Sequence, residues 1–152
     1  MGVKHLSFTV NDVNKGWSFT AESTLLSQVT FCVVDLETTG SSSAYGGITE
    51  IGAVKYKGGE EVSRLSTLIN PGQSIPANIV MLTGISDSMV AHAPRIEDVL
   101  ETFLDFVEGT VLVAHNARFD VGFLNAALER HGYDALSNVV VDTVTLARRL
   151  VR

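Results

Sequence analysis

The stretch Val33-Val34-Asp35-Leu36-Glu37-Thr38-Thr39-Gly40 constrains this chain most, because an apolar run delivers two carboxylates two residues apart and then stops at a glycine. Side chains alternate faces along a strand, so Asp35 and Glu37 project from the same face. Two like charges that close repel at the end of a buried strand unless a cation neutralises them or one takes a proton. Oxygen-only ligands suit Mg²⁺ or Mn²⁺ rather than zinc. The plainer alternative is a strand end with both acids solvated and Thr38, Thr39 and Gly40 making a turn.

The rest of the chain reads as a mixed α/β domain. Residues 1–28 show no sustained period and are expected to be an extension or arm, with no function attached to His5 or Trp17; residues 29–152 are expected to form the domain. Thr30 to Glu37 predicts a central strand rich in Val and Phe. Ile48 to Lys57 alternates like a strand, and Gly58-Gly59 turns it into a third, Val62 to Ile69. A short helix is expected from Ala77 to Leu82, ending near Gly84. Pro94 fits the first turn of a helix whose apolar positions Ile96, Val99, Leu100, Phe103, Leu104 and Val107 recur every three or four residues, closed by Gly109. Val111 to Ala114 reads as a buried strand, and Asn116 as a cap for a helix packed through Phe119, Phe123, Ala126, Ala127 and Leu128 and ended by Gly132. Val139 to Val141 gives a fifth strand, and Asp142 caps a last helix, Thr143 to Arg152. Three antiparallel strands followed by alternating helix and strand make a mixed five-stranded sheet with right-handed crossovers.

Composition limits what such a domain can bind. A chain of 152 residues, 45% of them hydrophobic, can bury a sizeable core as one domain. Its formal charge of −6 argues against coating a polyanion, since nucleic-acid binders carry a basic footprint. It does not exclude a few nucleotides held beside metal ions, which supply local positive charge. The single Cys32 lies in the apolar run, reads as a small buried residue, and fits a reducing compartment. No segment approaches the roughly 18 apolar residues of a membrane span. A soluble, cytoplasmic protein without membrane contact is expected.

A third acid, Asp120, follows in Val113-Ala114-His115-Asn116-Ala117-Arg118-Phe119-Asp120. It falls in the first turn of a helix leaving a strand, where the helix N-terminus favours a carboxylate and where α/β sites tend to lie. Complementing the helix dipole is its alternative role. Here the chain resembles the histidine-containing, DnaQ-like branch of the DEDD exonucleases. Val34 to Gly40 looks like the first motif of that family and His115 to Asp120 like the second; Thr49-Glu50-Ile51-Gly52-Ala53 and Leu82-Thr83-Gly84-Ile85 match between them.

The resemblance implies an RNase H-like fold and removal of 3′-terminal nucleotides from single-stranded or frayed DNA ends by water activated between two metal ions. Carried over by motif, Asp35 bridges both metals, Glu37 binds the first and Asp120 supports the second. Two cations roughly 3.5–4 Å apart stabilise the attacking and leaving oxygens of an in-line displacement. Thr38, Thr39, Gly40, Leu82 and Thr83 resemble the positions that receive the terminal nucleotide. His115 belongs to the second motif, and Asn116 is either a helix cap or a substrate contact. Arg118 either meets a phosphate or is solvated.

The family's third motif, a His followed five residues later by an Asp, belongs beyond the helix that begins at Thr143 and is not found by Arg152. Weak metal binding and little activity are therefore expected of this chain as given, with the domain incomplete at its C-terminal end and the last helix of the fold missing. A non-catalytic exonuclease-fold module tethering a polymerase or repair protein, and an RNA-directed exonuclease, remain open. A phosphatase of the haloacid dehalogenase type fits poorly: Glu37 is the wrong length for its second acid, and the last lysine is Lys57, too early for that family's downstream lysine.

Overall fold

The computed structural model describes residues 8–12, 17–21 and 25–151. His5 lies outside them. Of the N-terminal arm, β1 (Phe8–Asp12) and β2 (Trp17–Ala21) pair antiparallel as a separate two-stranded sheet, and a single 3-10 turn, Leu26–Gln28, leads into the domain.

The main sheet contains β3 (Thr30–Thr38), β4 (Ile48–Lys57), β5 (Glu60–Leu68), β6 (Val111–Ala114) and β7 (Val140–Asp142), in the spatial order β5-β4-β3-β6-β7. The first three form the expected antiparallel meander; β6 joins β3 in parallel, and β7 joins β6 in parallel. Between Lys57 and Glu60 the turn residues Gly58 and Gly59 have φ of 62° and 90°. A two-residue hairpin with both central residues in the left-handed region is the turn whose twist matches the strands, and glycine adopts it without strain.

Among the described residues five helices accompany the sheet: α1 (Ala77–Thr83), α2 (Asp87–Val90), α3 (Ile96–Val107), α4 (Arg118–Arg130) and α5 (Thr143–Leu150). Cys32, Val34 and Leu36 of β3 point to one face, and Leu100, Phe103 and Val107 of α3 and Phe123, Leu124, Ala127 and Leu128 of α4 bury against them. Each such side chain contributes about 1.5–3 kcal/mol when fully buried. A second cluster, Ile75, Ile85 and Val90, seats α1 and α2. Among the described residues no helix is long and apolar enough to cross a membrane.

The structure corrects several local expectations. α2 had no forecast; four residues are too few for a helical period to show. Pro94 is not in the first turn of α3: its carbonyl accepts from Asn70 N–H at 2.8 Å, and the helix starts at Ile96, with the Asp98 carboxylate accepting from Arg95 N–H at 2.9 Å. Asn116 is not a side-chain cap of α4. It takes a left-handed φ of 62°, and its N–H donates to the Asp142 carboxylate at 3.1 Å. Asp142 does cap α5, accepting from Val144 N–H at 3.0 Å, and that helix ends at Leu150.

Candidate active site

The alternation of β3 carries Asp35 to the face of the sheet away from the main core, with Val33 before it and half-buried Glu37 beyond it, while Leu36 between the acids goes inward. At Glu37/Thr38 the pairing with β4 shifts: Glu37 lies opposite Glu50 but Thr38 opposite Ile48, so Thr49 is the extra residue of a bulge. Bulges bend a strand and re-aim its side chains, and here one falls beside the acids.

Asp120 arrives from the other side of the sheet. β6 ends at Ala114, the chain turns through His115 to Ala117, and α4 puts Asp120 in its first turn with only 4% of its surface exposed. Its Oδ1 accepts a hydrogen bond from the Leu36 N–H at 3.1 Å. The third carboxylate is thereby fixed to the backbone that joins the other two. Burial pushes the Asp120 carboxyl up to about 6, against the Leu36 N–H, which favours the charged form; the negative charges of Asp35 and Glu37 push it further up. Glu37 is also raised, first by burial, then by Asp35 and by Glu50 across the strand pair. The neighbouring negative charges thus make ionisation of Asp120 and Glu37 harder, a condition relieved by a proton or a cation.

Among the described residues no group of three or more histidines, cysteines and acids is already arranged to hold an ion. The fit to a divalent cation is one of donor chemistry: oxygen ligands, mutual repulsion, and one carboxylate held beside two others in a partly dry setting. Asp35, Glu37 and Asp120 are the residues that would hold it.

Beside Glu37 lies an open hollow of about 320 Å³. Thr38, Gly40, Leu82 and Thr83 line it, together with Ile79 and Phe119. Leu82 is 81% exposed, which leaves its side chain free to be covered. Thr38 Oγ1 donates to Gly40 O at 2.7 Å and holds the turn. Thr39 faces the neighbouring hollow, its hydroxyl accepting from Gly47 N–H and from the Gln73 side chain at 2.9 and 3.0 Å.

His115 and Asn116 do not line either hollow. His115 Nδ1 lies 3.0 Å from Thr143 Oγ1, and Asn116 is tied to Asp142. Sequence reasoning passed over Phe119, Ile79 and Glu50 as site residues. Phe119 falls at a core-like helical position and stacks on Phe123 with ring centroids 4.9 Å apart. Its exposed side meets the hollow only because α1 folds over it, which no local pattern records. Glu50 could have been found from the register of β3 on β4.

Similarity to known proteins gives the family and the fold. The family model of the RNase T type, described as an exonuclease, matches residues 32–152. A PolC-type DNA polymerase III of Oceanobacillus iheyensis is 49% identical over 122 residues, 80% of this chain and 8% of its own length. The Bacillus cereus polymerase of the same type is 44% identical over 126 residues, 83% of this chain and 9% of its own. A Mycobacterium tuberculosis protein named as a candidate bifunctional exonuclease/endonuclease is 45% identical over 157 residues, covering 99% of this chain and 24% of that one. The chain thus spans less than a tenth of the polymerases and about a quarter of the mycobacterial protein.

Among solved structures, E. coli exonuclease I in complex with a dA16 oligonucleotide superposes with a TM-score of 0.73 at 19% identity, over 80% of this chain and 30% of that one. Product-bound exonuclease I gives 0.72 at 20% identity, over 82% and 33%. That likeness is one of fold, and the mixed five-stranded sheet is RNase H-like. By the family match over residues 32–152 and the identity to the PolC-type polymerases, the chain belongs to the DnaQ-like 3′–5′ exonuclease family.

Proposed function

We propose that this chain is an exonuclease domain that removes nucleoside monophosphates from the 3′ end of single-stranded or frayed DNA, using Mg²⁺ or Mn²⁺. The hydrogen bond from Leu36 N–H to Asp120 carries the reading, because it ties the acid of α4 to the strand that bears Asp35 and Glu37, and Glu37 borders a hollow of about 320 Å³. Asp35, Glu37 and Asp120 hold the cations, which supply the positive charge that the attacking and leaving oxygens need. Leu82, Ile79 and Phe119 press on the terminal base or sugar without reading sequence, and Thr38, Thr39 and Gly40 shape the turn against which its phosphate lies.

DNA is favoured over RNA by the relatives, which are DNA polymerases of PolC type, and by the oligodeoxynucleotide held by the structural neighbour. A replicative polymerase or repair protein is the natural partner, and the cytoplasm the natural compartment. We expect slow turnover from this domain, because none of the described histidines lines the hollow beside Glu37, and the His115 ring is engaged with Thr143. A missing positioned base costs about 10²–10⁴ in rate.

The test is release of mononucleotides from 5′-labelled single strands of DNA and RNA of one sequence, with Mn²⁺, by residues 1–152 and by a longer chain that carries a downstream His and Asp at the family spacing. One-nucleotide shortening of DNA, faster in the longer chain and abolished in both by Asp35→Ala, is expected. Persistence of turnover in the Asp35→Ala chain rejects the site, equal rates from both lengths reject the slow-turnover statement, and preferential shortening of RNA rejects the choice of DNA.

A further inference from the structure

The hollow at Glu37 is one of three that share walls. Gly40 and Ser41 divide it from a second hollow of about 230 Å³, and Tyr45, Gly46 and Gln73 divide the second from a third of about 330 Å³. The three hollows therefore adjoin in a row, from the one beside Glu37 past Tyr45 to the one lined by Arg95, Arg130 and His131.

The far hollow reverses the sign of the molecule. In a chain of net charge −6, two guanidiniums and an imidazole gather there against one carboxylate, Glu97, which lies 3.8 Å from Arg95 and 3.9 Å from His131. A Cβ at Gly72 would come within 2.5 Å of the Arg95 guanidinium, so glycine at φ +70° lets that group lie against the backbone. Arg130 donates to Ser43 O at 3.3 Å, beside the loop that carries Tyr45. The Arg95 side chain is still half exposed. Tyr45 is 86% exposed on the divide between the second and third hollows, an aromatic with nothing of its own to cover it.

We propose that the three hollows form one groove for a single strand, in which Tyr45 stacks on a base upstream of the 3′ end and Arg95 and Arg130 meet the phosphates beyond it. The proposal rests on the exonuclease reading, which fixes the 3′ end at Glu37. An exposed aromatic between a shaped end-pocket and a cationic hollow has the composition of a sequence-tolerant single-strand path. It also answers the acidic balance of the chain, since the positive footprint need only be local.

Equilibrium binding of 5′-fluorescein oligothymidylate, blocked at its 3′ linkage by phosphorothioate, separates the possibilities when a long strand is compared with a dinucleotide and with thymidine monophosphate in Mn²⁺. The wild type is expected to bind the long strand more tightly than the dinucleotide. The double variant Arg95→Gln, Arg130→Gln should lose about tenfold on the long strand and flatten the slope of log K against log salt by about 1.4, at about 0.7 for each phosphate contact on a single strand. Its binding of thymidine monophosphate should stay at the wild-type level. Tyr45→Ala should weaken the long strand by about fivefold or more with the slope unchanged, in line with base stacking on an aromatic.

Wild-type affinity and slope in the double variant overturn the proposal, as does a wild type that binds dinucleotide and long strand equally. If the double variant loses the monophosphate too, its fold is disturbed and Tyr45→Ala decides: no weakening overturns the groove. Failure of the wild type to bind thymidine monophosphate in Mn²⁺ rejects the exonuclease reading itself.

Discussion

Thr49 is fully buried, and its hydroxyl has no hydrogen-bond partner among the described residues. It is the extra residue of the bulge beside Glu37, where the shift of register turns a polar side chain into the interior. A buried polar group left unpaired costs about 1–3 kcal/mol. Valine has nearly the shape of threonine without that hydroxyl and keeps the β-branched preference for a strand. Thr49→Val is therefore expected to raise the stability of the chain by about 1 kcal/mol, read as a higher urea midpoint with an unchanged m-value. A lower midpoint would mean that the hydroxyl has a partner in solution and that the bulge depends on it.

At the scale of elements, Asp142 joins two of them: its carboxylate caps α5 through Val144 N–H and Thr145 Oγ1, and reaches across to Asn116 N–H. Burial alone would raise its carboxyl, yet the hydrogen bonds from Thr145, Val144, Asn116 and Ala117 together hold it below the ordinary value. A capping carboxylate satisfies backbone donors at a helix start, so Asp142→Ala should destabilise the chain, read as a lower urea midpoint. It should also speed amide hydrogen exchange at Asn116 relative to the core of β3; protection unchanged there would show that the loop before α4 holds itself. The same residues mark what the sequence could disclose. Asp142 as a cap, α3 from its apolar period, and Asp35 with Glu37 on one face are local facts, legible in consecutive residues. The left-handed Asn116 depends on a carboxylate 26 residues away, and Phe119 enters the end-pocket only once α1 has packed over it, so neither leaves a trace in its own segment. Gathering Asp120 to Leu36, 84 residues apart, was implied by the family's motif order, and no spacing or period in this chain contains it.

For the molecule as a whole, the proposed function has the acid cluster trade fold stability for a cation site. The Asp120 carboxyl stands near 3.8 in an unfolded chain and about 6 in the folded one, with Glu37 raised as well, so between those values the folded chain binds more protons than the unfolded chain. Stability then falls as pH rises through that window. At about 1.4 kcal/mol per tenfold change in proton affinity, Asp120 accounts for about 3 kcal/mol of that fall. The lowered carboxyls of Asp142 and Glu61 act in the opposite sense but only below their ordinary values, so they do not mask the effect above pH 5. A divalent cation that binds the folded chain and not the unfolded one restores stability by mass action, about 2.7 kcal/mol at one hundred times its dissociation constant. Urea unfolding without cation should thus show the wild type losing stability between pH 5 and pH 7.5, and Asp120→Asn losing much less. Mn²⁺ should stabilise the wild type at pH 7.5 far more than at pH 5, where Asp120 already carries its proton, and should leave Asp120→Asn nearly unmoved. Parallel pH curves for the two chains, or equal gains from Mn²⁺, would separate Asp120 from the metal-binding charge and undo its assignment to the site.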